Sequence, residues 1–269
     1  MTFGGRERDL FRQGMNLVFS FAQFLVTLLP ALGIGTGIGD RASGGEPLVQ
    51  PIFWAFFIWF PIYAACIAYG IYQAIPAQRE NGILRRIGFP TASAFTGVTA
   101  YALVAQFGGS DWLLIAIFVW ILASLLMAYL PLGEYQHRLT RTEGYLVLAP
   151  VSLLTGWVSL AILVNLAAVL KDDRVITAGV METAFSLILL VAACLVASLL
   201  IHRGKGNAWY AFPVIWGLGG VVVANVMRQS STIIAVAAGL AALEILVFLL
   251  VVRKRESEQA KGIPNRKPG

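Results

Sequence analysis

Residues 112–132 read WLLIAIFVWILASLLMAYLPL, 21 residues without a charged side chain. An α-helix rises about 1.5 Å per residue, so a run of this length crosses the roughly 30 Å hydrocarbon core of a bilayer. Of the 269 residues of the chain, 58% are hydrophobic and 13% are charged, whereas a soluble domain carries about 25% charged residues. The sequence therefore predicts an integral membrane protein in which this stretch forms one transmembrane helix.

Further apolar runs of similar length lie on both sides of this stretch. Together they give eight predicted spans, at residues 11–34, 51–74, 89–107, 112–132, 145–170, 181–201, 208–227 and 231–252. The connections are short and polar, such as GGSD at 108–111 and KDDR at 171–174, as expected at a membrane surface. We therefore predict an all-α fold, a polytopic bundle of transmembrane helices with almost no soluble part.

The basic residues give this bundle an orientation. Sixteen of the 20 Lys and Arg residues lie in the two terminal segments and in every second connection; the other four are Arg41, Lys171, Arg174 and Arg228. Because cytoplasmic segments of membrane proteins carry the excess of Lys and Arg, both termini are predicted to be cytoplasmic. The net charge of +6 thus indicates topology rather than a nucleic-acid partner, and we expect a bacterial cytoplasmic membrane.

Two spans have an alternative interpretation. Only RQSS at 228–231 separates the last two apolar runs, and fusing them would leave seven spans. That count would place the basic tail outside, against the charge rule, so eight is preferred. The first run is longer than the apolar part of a typical signal peptide and has no convincing cleavage site after it, so we predict a helix there.

The sequence offers little support for catalysis or metal binding. Cys66 and Cys194 lie within apolar runs, where a thiol behaves as a small hydrophobe, and a disulfide between them would need adjacent helices at matching depth. His137 and His202 lie at predicted helix ends without metal-ligand spacing. The glycine-rich segment 33–39 lacks the preceding strand of a phosphate-binding loop. We therefore expect no metal, no resident cofactor and no enzymatic activity.

Aromatic residues are prominent inside the predicted spans. Trp54, Trp112 and Trp209 lie at span ends, where indoles favour the headgroup region, and the four deeper tryptophans are Trp59, Trp120, Trp157 and Trp216. Helical spacing places Phe56, Trp59 and Tyr63 on one face of span two, and Trp157, Ala161 and Asn165 on one face of span five. These faces would serve either helix packing or a ligand pocket, and Asn165 either a ligand or an interhelical hydrogen bond.

Two other features inside the spans admit more than one role. Glu244 is the one acidic residue deep in a span, about 12 Å from its predicted cytoplasmic end, and would be either proton-linked or hydrogen-bonded to a neighbouring helix. Small residues recur at four-residue spacing in span three, at Ala92, Thr96 and Ala100. Such a stripe serves packing within the chain or a homodimer interface.

Two motifs in these aromatic spans carry a resemblance. Residues 54–63 read WAFFIWFPIY and residues 157–165 read WVSLAILVN. They are similar to the W-x-F-x-I-W-x-x-I-Y and W-V-S-x-A-x-x-x-N segments of enlarged members of the translocator protein family, also called tryptophan-rich sensory or mitochondrial benzodiazepine receptor proteins. TGIGD at 36–40 also resembles the loop before span two in those members. Span three departs from the family, because it lacks the usual Asn and Trp and offers Tyr101 instead.

The resemblance implies a fold and a site. Residues 1–170 would form a translocator-like five-helix unit, 171–253 three additional transmembrane helices, and 254–269 a basic cytoplasmic tail. An aromatic cavity would bind a tetrapyrrole, a sterol or a similar ring compound beneath a cap at 35–50. The wall-lining residues carried over are Trp54, Phe56, Trp59 and Tyr63 on one side, and Trp157, Ala161 and Asn165 on the other.

Three functions compete at this point. The resemblance favours a membrane-bound sensor or carrier of hydrophobic ring compounds. The alternative is a secondary transporter of a small solute, coupled to protons through Glu244, with Pro61 and Pro213 as candidate helix breaks but without an inverted repeat. An intramembrane enzyme is the third, although the aromatic residues offer no acid–base pair.

Overall fold

Eight long helices make up most of the computed structural model, which describes residues 3–37, 46–228 and 230–262. They are α1 Phe3–Leu25, α2 Trp59–Ala74, α3 Gly82–Gln106, α4 Asp111–Tyr135, α5 Ala149–Asp172, α6 Val180–Arg203, α7 Ala208–Met227 and α8 Thr232–Gly262. Eight helical stretches have the length and apolar composition to cross a membrane. The eight-span, all-α prediction is confirmed, and the seven-span alternative is wrong because α7 and α8 are separate helices.

Irregular helical turns extend four of these helices, one of them α4, which continues as the 3-10 helix Gln136–Arg138. A 3-10 helix, Val26–Leu32, continues α1, and another, Phe53–Ile58, leads into α2. A π-helical turn, Gly144–Leu148, leads into α5. The 3-10 turn before α2 matters for the site, because its side chains are spaced at about 120° per residue rather than 100°.

Polar caps fix where helices begin. The Asn81 side chain accepts hydrogen bonds from the N–H groups of Ile83 and Leu84 and starts α3, seven residues before the predicted position 89. Ser110 caps α4 in the same way. Such side chains satisfy N–H groups that have no partner within the helix. Because the first turn of α3 carries Arg85, a search for apolar runs alone misses it.

The first five helices form a closed ring. Helix α1 packs against α2 and α3, α3 against α4, α4 against α5, and α5 against α2. Of the remaining helices, α7 packs on the outside of α5, α8 packs on α7, and α6 packs mainly on α8. The three additional helices therefore lie along one side of the ring, joined to it chiefly through α7.

Helix α1 has its polar face buried and its apolar face exposed. Its buried side chains are Asp9, Arg12, Gln13, Asn16, Ser20 and Gln23, and its exposed ones include Phe11, Val18 and Leu25. In a bilayer this arrangement places apolar groups against lipid and polar groups where α2 and α3 can satisfy them. The burial of this polar face was not predicted from the sequence.

Arg12 is the centre of the contacts between α1, α2 and α3. Its guanidinium is 1% exposed and donates to the carbonyls of Leu84 and Arg79 at 3.1 Å each, with Asp9 at 3.6 Å. One turn along, Thr91 donates to Asn16 Oδ1 at 2.7 Å. These bonds fix α1 against the two helices beside it.

Small residues and cysteines serve packing within the chain. Ala92, the first residue of the predicted stripe in α3, is buried, and a Cβ added to Gly97 of α3 would lie 2.6 Å from Ile121 of α4. Cys66 and Cys194 are free thiols. A homodimer interface, the cytoplasmic placement of the termini and the compartment stay predictions.

Candidate functional site

Five aromatic residues of the ring contact one another at the end of the bundle where α2 begins. Phe56 and Trp59 both meet Trp157 of α5 edge to face, with ring centroids 5.7 and 6.1 Å apart. Trp59 stacks on Tyr63 at 5.1 Å, and Tyr63 contacts Phe24 of α1 at 5.9 Å. We call these five residues the aromatic cluster.

The local backbone explains which rings join the cluster. Phe56 lies on the 3-10 turn Phe53–Ile58, and Trp59 and Tyr63 lie one turn apart on α2. Phe56 and Trp59 face α5, and Tyr63 lies between Trp59 and Phe24 of α1. Trp54, on the same 3-10 turn, points elsewhere: its ring meets Trp216 of α7 edge to face at 5.3 Å. The structure therefore separates Trp54 from the residues predicted to line the same wall.

The two predicted walls are in direct contact. Because Phe56 and Trp59 touch Trp157, their rings form one packed group rather than opposite sides of an open cavity. A ligand that stacks on these rings must first part α2 from α5 at this point. The residues that would move are Phe56, Trp59 and Trp157.

The indole N–H of Trp157 has no hydrogen-bond partner among the described residues, although the side chain is 2% exposed. Leaving a buried donor without a partner costs about 1–3 kcal/mol. Other tryptophans satisfy this group: Trp120 donates to Ser93 and Trp216 to the Ala55 carbonyl, at 2.9 and 2.8 Å. The cluster thus holds a polar group that a ligand with an acceptor atom would satisfy.

Three other polar atoms in the ring are also without a hydrogen-bond partner among the described residues: the Oε1 atoms of Gln23 in α1 and Gln106 in α3, and Nε of Arg12 in α1. Both amide groups donate on their nitrogen side, Gln23 to the Ser20 carbonyl and Gln106 to the Val26 carbonyl. With Trp157 Nε1, two acceptors and two donors are therefore unpaired within the described parts of the five helices.

Ala161 and Asn165, the other predicted members of the α5 wall, lie about one and two turns beyond Trp157. Asn165 Nδ2 donates to the Ala161 carbonyl at 2.8 Å, and Asn165 Oδ1 accepts from the Tyr101 hydroxyl at 3.2 Å. Tyr101 in turn packs on Phe118 with centroids 4.4 Å apart. Asn165 therefore makes an interhelical hydrogen bond, and its bonding partner is the residue that departs from the family pattern.

The predicted cap at 35–50 is only partly visible, because residues 38–45 lie outside the described residues. At its first end, Thr36 donates its N–H and hydroxyl to the Gln106 carbonyl at 3.0 and 3.1 Å. At its other end, the Leu48 carbonyl accepts from Asn225 of α7 at 2.7 Å. The described parts of the cap are thus attached to α3 on one side and to α7 on the other.

Glu244 lies outside the ring, on an exposed face of α8. Its Oε1 accepts a hydrogen bond from Ser198 of α6 at 3.0 Å. Pro61 lies in the first turn of α2, where the 3-10 helix changes to an α-helix, and Pro213 lies within α7. These residues, on which the transporter alternative rests, lie on three different helices, α8, α2 and α7.

Comparison with known proteins gives one match. The sequence model of a family described as "TSPO-like protein" matches residues 13–251, a range that includes α6 to α8 as well as the five-helix ring. No significant match is found among curated proteins or among solved structures.

Proposed function

Because the chain belongs to the TSPO-like protein family and spans the membrane with eight helices, we propose that it binds a hydrophobic ring compound as a sensor or carrier. The ligand class is a flat apolar molecule such as a tetrapyrrole or a sterol. The site is the aromatic cluster of Phe24, Phe56, Trp59, Tyr63 and Trp157. Ring faces favour a flat ligand, and one or two polar groups would fix its orientation.

The observation that carries the proposal is the N–H of Trp157, which is surrounded by aromatic rings and has no partner among the described residues. A ligand that parts these rings gains stacking surface and also accepts a hydrogen bond from this N–H. The binding free energy is most favourable for a molecule that is flat and apolar and has a hydrogen-bond acceptor near its edge. Porphyrins, with carboxylate side groups, fit this description.

The cluster supports binding rather than catalysis. Its five side chains include no carboxylate and no imidazole, so they supply no acid–base pair for a reaction on the ligand. After incubation of the protein with protoporphyrin IX in the dark, mass spectrometry should therefore find the mass of the porphyrin unchanged. A new product that depends on protein concentration would contradict this part of the proposal.

The binding test is a titration of the purified full-length protein in detergent with protoporphyrin IX, followed by porphyrin absorbance and tryptophan quenching. Saturable binding is expected. Trp157→Phe keeps an aromatic ring but removes the N–H, and loss of one hydrogen bond should weaken binding roughly fivefold. Trp157→Ala also removes stacking surface and should weaken it further.

The matched control is Trp120→Phe, which removes an indole N–H that bonds to Ser93 outside the cluster. This variant should bind the porphyrin as the unaltered protein does. The proposal fails if the unaltered protein shows no saturable binding, or if the Trp157 and Trp120 variants change the affinity equally.

A further inference from the structure

Helix α7 and its neighbours hold the segment that enters α2, residues 46–58, which we call the entry segment. Three hydrogen bonds join this segment to α7: Asn225 donates to the Leu48 carbonyl at 2.7 Å, the Ile52 N–H donates to the Gly220 carbonyl at 3.1 Å, and Trp216 donates to the Ala55 carbonyl at 2.8 Å. These bonds are spread along the segment, so its path follows α7 rather than the ring.

Charged groups reinforce the start of the entry segment. Glu182 of α6 is buried, accepts the Leu48 N–H at 3.2 Å and pairs with Lys171 at 2.8 Å. Glu46 pairs with Arg228, directly after α7. The contacts at the start of this segment therefore come from α6, from α7 with the residue after it, and from Lys171 of α5, which donates to the Glu46 carbonyl at 3.0 Å.

Helix α7 also lies directly behind Trp157. A Cβ placed on Gly217 would lie 3.3 Å from Trp157 Cζ3 and would overlap the Leu160 side chain. A Cβ on Gly220 would lie 2.8 Å from Ala55 Cβ, on the 3-10 turn that carries Phe56. Helix α7 thus contacts both sides of the junction at which Phe56 and Trp59 meet Trp157.

We propose that α7 is a positioning element of the aromatic site, in which Trp216 and Gly220 fix the entry segment and Gly217 fixes the back of Trp157. This inference rests on the proposed function, because it gives the additional helices a role in recognising the ligand of that site. A ligand must part Phe56 and Trp59 from Trp157, and both sides of that opening are held by α7. The contacts of α7 therefore set how far the cluster opens and how large a ring compound it admits.

The first test measures the entry segment without any ligand. Hydrogen exchange of the backbone amides at 46–58 is followed in the full-length protein in detergent. Trp216→Phe keeps a ring against Trp54 but removes the bond to the Ala55 carbonyl, and exchange in 52–58 should quicken roughly fivefold. Trp209→Phe, on the same helix but outside these contacts, is the control and should leave that exchange unchanged.

The second test measures the cluster with protoporphyrin IX as the probe. Gly217→Ala adds a methyl group against Trp157 and Leu160, whereas Gly219→Ala, two residues along, adds one into open space. We expect Gly217→Ala to shift the porphyrin dissociation constant by roughly fivefold or more and Gly219→Ala to leave it unchanged. Melting temperature, measured for both variants, separates loss of fold from loss of positioning.

The outcomes separate this inference from the proposed function. If the unaltered protein does not bind porphyrin, the proposed function fails, and the exchange experiment alone decides whether α7 holds the entry segment. Equal exchange in the Trp216 and Trp209 variants overturns the positioning role of α7. Equal porphyrin affinity in the Gly217 and Gly219 variants overturns its influence on the site.

Discussion

The Tyr101 hydroxyl of α3 donates a hydrogen bond to Asn165 Oδ1 of α5 at 3.2 Å. These helices are not consecutive in the ring, because α4 packs between them. The bond therefore crosses the bundle next to the aromatic cluster and limits how far α3 and α5 can separate.

Tyr101→Phe tests this cross-link. The substitution keeps the ring that packs on Phe118 and removes only the hydroxyl, so the free energy of unfolding in mixed micelles should fall by about 1 kcal/mol. Tyr145→Phe, at an exposed position, is the control and should change that free energy by less than about 0.5 kcal/mol. Equal effects of the two variants would mean that the Tyr101 bond contributes nothing.

Substitution of Arg12 should lower the unfolding free energy more than substitution of any other basic residue of the chain. Arg12→Met leaves the carbonyls of Leu84 and Arg79 without their donor, while Asp9 keeps its salt bridge to Arg85. Each buried group left without a partner costs about 1–3 kcal/mol. Arg12→Lys should restore little of this, since one ammonium cannot reproduce the planar fork that reaches Leu84 and Arg79. Unfolding by a denaturing detergent measures both variants.

The control for Arg12 is Arg138→Met, at an exposed position outside the contacts of α1. Its effect on the unfolding free energy should stay below about 1 kcal/mol. A similar loss in both variants would contradict a special role for the buried guanidinium.

The same substitution, Gly to Ala, should change the stability of the protein in opposite directions at two glycines. A Cβ on Gly70 of α2 would overlap Ser20 of α1, so Gly70→Ala should destabilise the protein by about 1–3 kcal/mol. A Cβ on Gly14 of α1 meets nothing within 4 Å, so Gly14→Ala should stabilise the helix by up to about 1 kcal/mol. Melting temperatures of the two variants, compared with the parent, check the signs.

The number of spans followed from hydropathy because a bilayer selects for the length of an apolar run. The ends of the helices did not follow from hydropathy, because a helix continues for as long as its backbone hydrogen bonds are made. Helix α3 begins directly after the cap Asn81, and α8 continues through charged residues to Gly262. Hydropathy measures where lipid lies along a helix and carries no information about such capping.

The site was predicted in part. Helical spacing and the family resemblance named Phe56, Trp59, Tyr63 and Trp157, which the structure brings together. Trp54 separates from them because it lies on the opposite side of the helical turn, about 200° from Phe56 at helical spacing, and there it meets Trp216 of α7. The contact of α7 with this site depends on which helices pack together, and a single sequence does not encode that in any local pattern.

The polar face of α1 was detectable but overlooked. Its buried residues recur at spacings of three and four, from Asp9 to Gln23, which is the spacing of one helical face. An analysis of apolar runs treats such residues as interruptions. A search for polar periodicity within the same run would have indicated that α1 turns this face toward other helices.

The buried polar face of α1 also constrains how the protein is inserted into the membrane. Alone in lipid, α1 would expose Asn16 without the hydrogen bonds that it makes to another helix, and polar groups at that depth are energetically costly. Its partners Gly88 and Thr91 belong to α3, which is synthesised some 70 residues later. The N-terminal helix must therefore remain in the protected environment of the insertion machinery, or near the bilayer surface, until α2 and α3 emerge, and the three helices partition into the membrane together.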